Sequence, residues 1–197
     1  MIDKEKSKPR GRPRQFDRDA ALDQAQALFH AHGYEGVGVA SLAEAMGINP
    51  PSLYAAFGSK AELFGEVLGH YARSALPVDD LLAPGSDPAQ ALTRLLHEAA
   101  TIYAADPQAP GCLVLEGARG ADRQAAGLAC TWKAASRERV RDYLRPVHPG
   151  QADVVADYMV AIMSGMSADA RGGMPAARLV AVADMAGLAI KAMLANA

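Results

Sequence analysis

Aromatic side chains are scarce, with four phenylalanines, six tyrosines and one tryptophan among 197 residues. β-Branched residues almost never alternate with polar ones, so a sheet fold lacks its usual signal. The best strand candidate, Leu113-Val114-Leu115, is three residues long. No stretch reaches 18 uninterrupted apolar residues, and the opening MIDKEKSKPRGRPR is charged where a secretory signal carries its apolar segment. A cytoplasmic protein without a membrane partner is expected. In that compartment the two cysteines, Cys112 and Cys130, are expected as free thiols rather than a structural disulfide.

Half of the chain is hydrophobic, alanine is abundant, and apolar residues recur every three to four positions. That pattern predicts an all-α protein, long enough for one large domain or for a small domain joined to a larger one. The net charge of −2 hides an asymmetry: Lys4, Lys6, Lys8, Arg10, Arg12, Arg14 and Arg18 oppose only Asp3, Glu5 and Asp17 at the start, and the rest of the chain is acidic. A basic arm on an acidic body points to a polyanion as the partner of the arm, with a solvated tail as the alternative. Within it, Pro9-Arg10-Gly11-Arg12-Pro13 resembles the core of an AT-hook, whose glycine lets the backbone lie in a narrow minor groove while both arginines run along it.

Short helices with legible ends follow. Asp17 is placed to cap a helix from about 18 to His32, with Leu22, Ala25, Leu28 and Phe29 on one face and Gly33 as its stop. Val39, Leu42, Ala43 and Met46 form the buried face of a second helix over 39–46, ended by Gly47. Asn49 or Pro50 caps a third, in which Leu53 and Phe57 point inward and Ser52, Tyr54, Ala55 and Ala56 are left outside or at the rim. This is a helix-turn-helix whose second helix inserts its N-terminal end into a major groove, where Pro50 and Pro51 offer apolar surface to a thymine methyl. Ser59-Lys60-Ala61-Glu62 has the form of a capping box, and a helix N-terminus beside Lys60 makes a phosphate seat to which Tyr54 adds a donor. The residues expected to meet DNA are Arg10, Arg12, Arg14, Ser41, Asn49, Pro50, Pro51, Ser52, Tyr54, Ala55, Ser59 and Lys60.

The stretch GYEGVGVASLAEAMGINPPSLYAAFGSKAELF, residues 33–64, resembles the DNA-binding domain of the TetR/AcrR family of bacterial transcriptional regulators. The matching positions include Gly33-Tyr34, Leu42-Ala43, Gly47-Ile48, Leu53-Tyr54, Phe57, Ser59-Lys60 and Glu62-Leu63. Two departures stand out. Val37-Gly38-Val39 replaces the threonine or serine usual before the second helix, so Gly38 must cap it, with Ser41 as the candidate to compensate. Ala56 replaces a histidine or another polar residue before the phenylalanine.

The domain reading is a basic arm over 1–15, a helix-turn-helix domain over 16–59, and a connecting helix with a helical ligand-binding and dimerisation domain over 60–197. Helices are predicted over 60–76, 88–105, 111–119, 122–145, 151–171 and 176–195, with PVDDLLAPGSDP as a loop. Arg137, Arg139, Arg141 and Arg145 read as a solvated face interleaved with acids, or as a second nucleic-acid surface. Small faces on the last two helices, Ala161, Gly165 and Ala168 with Ala183, Gly187 and Ile190, suit either internal packing or the four-helix dimer interface that the resemblance implies. One short recognition helix makes few contacts, so a two-fold homodimer on a palindrome in double-stranded DNA is expected.

The resemblance also implies a pocket for an unidentified small-molecule effector, for which Tyr103, Trp132, Tyr158, Met159, Met163 and Met166 are the adaptable candidates. The function implied is a ligand-responsive regulator, a repressor released by its effector, with no cofactor and no metal. Alternatives are a helical protein-binding adaptor and a thiol-sensing regulator in which Cys112, near a helix N-terminus, has a lowered pKa. An enzyme is not expected: the five histidines are scattered, and neither a glycine-rich phosphate loop nor a nucleophile elbow is present.

Overall fold

The computed structural model describes residues 17–195, which form helices and turns without a strand among them. Polar caps set the starts of the first helices. Asp17 accepts the Ala20 amide at 3.1 Å and opens α1 (Arg18–Gly36). After α2 (Val39–Ala45), Asn49 accepts the Ser52 amide at 2.9 Å and opens α3 (Pro50–Phe57). Ser59 accepts the Glu62 amide at 3.1 Å and opens α4 (Lys60–Ser74). Each cap satisfies an amide with no partner inside its helix, an effect of about 0.5–2 kcal/mol.

Helix α1 breaks at Gly33 (φ 73°, ψ 165°), the predicted stop, but a further turn carries it to Gly36. That turn is anchored by Tyr34, whose ring lies 5.9 Å from Phe29 and 5.1 Å from Phe64, centre to centre. Between α2 and α3, Gly47 adopts φ 65°, and the Ile48 and Gly47 amides bond the Ala43 and Glu44 carbonyls. This is the Schellman ending that a left-handed glycine permits, and it sets the sharp corner between the two helices. Leu22, Ala25 and Phe29 of α1, Leu42 and Ala43 of α2, Leu53 and Phe57 of α3, and Leu63, Phe64 and Val67 of α4 close over one another as a core.

The remaining helices are α5 (Val78–Leu81), α6 (Pro88–Tyr103), α7 (Leu113–Gly117), α8 (Arg123–Leu144), α9 (Ala152–Arg171) and α10 (Ala176–Ala195). The segment read as a loop after α4 thus contains one helical turn, α5, too short to show a period. Helix α4 packs on α1 on one side and on α8 on the other. Trp132 of α8 lies flush on Gly69 of α4, where a Cβ would stand 3.0 Å from the indole.

The small face expected on α10 between two copies is used inside the subunit. Ala183, Gly187 and Ile190 are buried against α6, and a Cβ on Gly187 would stand 2.6 Å from Thr93 Oγ1. Small residues let helices approach whether the neighbour belongs to the same chain or to another. What α10 leaves outside is Val182, Met185 and Leu188, the last two more than 60% exposed.

Candidate nucleic-acid interface and cavity

Helix α3 divides sharply. Leu53 and Phe57 are buried, whereas Asn49, Pro50, Pro51, Ser52, Tyr54 and Ala55 are exposed, with Tyr54 at 49%. Asn49 caps the Ser52 amide and its carbonyl takes the Leu53 amide, so no amide of the first turn is left free and the two proline rings are what it presents on the open side. The Tyr54 hydroxyl forms no hydrogen bond within the described residues and is available to a phosphate.

The edges of this face are less free than the sequence suggests. The Lys60 ammonium lies 4.0 Å above the centre of the Tyr34 ring. Burial lowers its pKa, opposed by the carboxylates of Glu35 and Asp122. Ser59 completes only half of a capping box, because its own amide bonds the Phe57 carbonyl while the Glu62 carboxylate folds over Gly58. Ser41 does not supply the missing cap of α2: Gly38 caps without a side chain, and Ser41 stays exposed on the outer surface.

Arg10, Arg12 and Arg14 lie outside the described residues. Arg18, grouped with the arm by charge, instead braces the domain. Its guanidinium pairs with Glu66 at 2.6 Å, donates to the Ala56 carbonyl at 3.0 Å and lies 4.5 Å over the Phe57 ring. Charge counting has no means to separate it from the arm.

A cavity of about 940 Å³ opens between α4, the α5 turn, α6, α7, α8 and α9. Four of the six expected ligand residues, Tyr103, Trp132, Met159 and Met163, line it. Tyr158 does not: it faces an outer groove with Ile162, Val182 and Met185, because successive residues of a helix point about 100° apart and Met159 already faces inward. Met166 is buried beyond the cavity in the core. Tyr71, Arg73, Cys112 and Lys133 also line the cavity and carried no local sign of it.

The most deeply buried polar groups of the cavity wall are two phenols and a thiol, while Arg73, Lys133 and Asp79 are charged side chains that also line it. Burial pushes the phenols of Tyr71 and Tyr103 up, with the Cys112 thiol beside both as a further cause, and the Tyr103 hydroxyl is buried without a hydrogen-bond partner. Cys112 caps α7, yet burial raises its thiol pKa against the lowering effect of the Leu115 and Val114 amides. This burial favours an inert thiol over the lowered pKa of the thiol-sensing alternative. At the mouth Arg139 pairs with Asp79 at 2.9 Å.

Two further arginines of α8, Arg137 and Arg141, are also paired. Arg137 bridges to Asp157 at 2.5 Å and Asp153 at 3.0 Å on α9, and Arg141 pairs with Glu138 and Asp142. These pairs offset the charge of Arg137, Arg139 and Arg141, three of the four arginines a second nucleic-acid surface would need; among the described residues Arg145 forms no ion pair. Ala161, Gly165 and Ala168 are exposed on α9. Among the described residues no group of three or more histidine, cysteine or carboxylate side chains could hold a metal, and no helix is long and apolar enough to cross a membrane.

Comparisons with known proteins agree with this geometry. Residues 21–67 match the family model of bacterial regulatory proteins, tetR family. The HTH-type transcriptional repressor BdcR of Escherichia coli (strain K12) is 43% identical over 98% of this chain and 99% of its own length. The HTH-type transcriptional repressor ComR of the same organism is 34% identical over 89% of this chain and 90% of its own. Among solved structures, a cysteine mutant of the TetR family transcriptional regulator CifR, complexed with 26 bp double-strand operator DNA, superposes with a TM-score of 0.81. It is 33% identical, over 90% of this chain and 99% of that one.

Proposed function

The chain belongs to the TetR family of bacterial regulatory proteins, and on that premise we propose that it is a homodimeric transcriptional repressor, released from a palindromic operator by a small, largely apolar molecule in the cavity. The observation that carries this reading is the exposed face of α3, with apolar and hydrogen-bonding groups held outward on a helix pinned from behind by Leu53 and Phe57. A globular core gains nothing from exposing two prolines and a tyrosine together, whereas a major groove receives such a surface.

In this reading Pro50, Pro51, Ser52 and Ala55 meet base edges, and Tyr54, Ser41, Ser59 and Lys60 meet phosphates. The Asn49 cap holds the first turn in place. Arg10, Arg12 and Arg14 follow the adjacent minor groove. The two copies meet through the outward faces of α9 and α10, with Val182, Met185 and Leu188 against Tyr158, Ala161, Gly165 and Ala168. An effector shifts the dimer away from the DNA-matching geometry only as far as it prefers the released state.

The arm provides the test of sequence reading. Deleting residues 1–14 is expected to weaken binding more on an operator with A·T-rich flanks than on a G·C-flanked version. Equal losses on both would reduce the arm to an electrostatic tail.

A further inference from the structure

We propose that His30 is the residue through which occupancy of the cavity reaches the helix-turn-helix, an inference that rests on reading the cavity as the effector site. His30 belongs to α1, the helix that closes the DNA-binding core through its neighbour Phe29. Its ring lies directly behind the cavity wall. Nε2 donates to the Gly111 carbonyl at 3.2 Å, and the ring meets Tyr71 edge-on with centres 5.4 Å apart. Tyr71 lines the cavity, as does Cys112, the residue after Gly111. One side chain of the DNA-binding domain therefore touches two adjoining pieces of the pocket wall.

The wall at this point has little freedom on its other side. Gly111 holds φ +82°, and a Cβ there would stand 2.9 Å from the Ser167 carbonyl oxygen, so the loop is pressed against α9. The Cys112 amide donates to Ser167 Oγ at 2.9 Å, and that hydroxyl donates to Glu116 at 2.7 Å. Arg171, one turn along α9, donates to the His30 carbonyl at 2.9 Å while its Nε stands 3.6 Å from Glu116. A group entering the cavity and pushing on Tyr71 or the Cys112 backbone cannot drive the loop further into α9. The displacement goes instead to the Gly111 carbonyl and the Tyr71 ring, and from both to His30.

The other ties between α1 and the larger domain are poorly placed for this role. Asp23–His70 and Arg18–Glu66 join α1 to α4 at exposed positions, and the Glu35 carboxylate accepts the Ala121 and Asp122 amides at the outer start of α8. None of these residues lines the cavity. Exposed pairs contribute little and are screened, whereas the half-buried contact at His30 is mechanically continuous with the wall.

The test uses the intact protein with anilinonaphthalene sulfonate as the cavity probe. Trp132, the single tryptophan and a cavity residue, reports occupancy by quenching. Hydrogen exchange of the α2 and α3 amides reports the response. In wild type the probe is expected to quench Trp132 and to accelerate α2 and α3 exchange roughly two- to tenfold, the range for release of one hydrogen bond. His30→Ala should bind the probe with similar affinity but show no further acceleration. His30→Gln, whose amide can donate to the Gly111 carbonyl, should retain the response. Quenching without acceleration in wild type, or an undiminished response in His30→Ala, would overturn the coupling alone. Absence of quenching would overturn the cavity reading and the coupling with it.

Discussion

The Lys60 ammonium sits 4.0 Å over the Tyr34 ring, so the same residue that borders the exposed face of α3 also closes the aromatic cluster of Phe29, Tyr34 and Phe64. A cation in this position contributes about 0.5–1 kcal/mol to the fold and remains within reach of an approaching phosphate. Lys60→Ala is expected to lower stability by that amount, to weaken binding to all DNA sequences alike, and to reduce the salt dependence by about one unit. Affinity titrations at several salt concentrations, with a denaturation curve, separate the two effects. An unchanged salt slope would confine Lys60 to the aromatic brace.

Tyr54 offers a cleaner separation, because its hydroxyl bonds nothing in the described residues and the residue is 49% exposed. Tyr54→Phe should leave stability unchanged while weakening DNA binding by about 0.5–1.5 kcal/mol, without altering base preference. Undiminished affinity for specific and random DNA would remove Tyr54 from the interface.

Helix ends are legible in the sequence because Asp17, Asn49 and Ser59 act locally, each on an amide three residues away. The recognition face of α3 is legible for a related reason: Leu53 and Phe57, four apart, can only point one way together. The role of α10 is not legible. Alanine and leucine occupy both of its sides and the outer side carries Val182 and Met185 as well, so periodicity cannot tell the side that meets Thr93 from the side that carries Met185. The cavity was partly legible through Tyr103, Trp132, Met159 and Met163, but Tyr71 and Lys133 reach it only through packing between distant elements. His30 is one of two histidines near the end of α1, with nothing local to set it apart from His32, and its Gly111 partner is 81 residues away.

The two sides of α10 should respond differently to substitution. Gly187→Leu places a bulky side chain against Thr93, and overpacking of this kind costs about 1–3 kcal/mol or more, so the subunit itself should lose stability. Met185→Lys changes an exposed residue and should leave subunit folding intact while shifting sedimentation from dimer to monomer. A Met185→Lys protein that remains a tight dimer would place the interface elsewhere.

His30 is expected to make the fold more sensitive to acid. Burial is the main cause that holds its pKa below the ordinary 6.5, reinforced by Arg171 and opposed by the Gly111 carbonyl, Asp106 and Glu116. Below 6.5 the unfolded chain therefore binds this proton more readily than the folded one. The stabilising contribution is complete above 6.5 and is lost as the pH falls from there through the lowered folded value. Denaturation midpoints across this window should fall less steeply for His30→Gln than for wild type. Parallel profiles would show that His30 titrates as an ordinary surface histidine.

Selection of DNA from a random pool by the purified full-length protein, followed by sequencing of the retained fragments, bears most directly on the proposal that this chain is a dimeric, sequence-reading repressor. The expected product is an enriched inverted repeat, bound with a steep salt dependence and no longer retained by a variant with Pro50, Pro51 and Tyr54 replaced by alanine. Fragments without a common two-fold sequence, or equal retention by that variant, would contradict it.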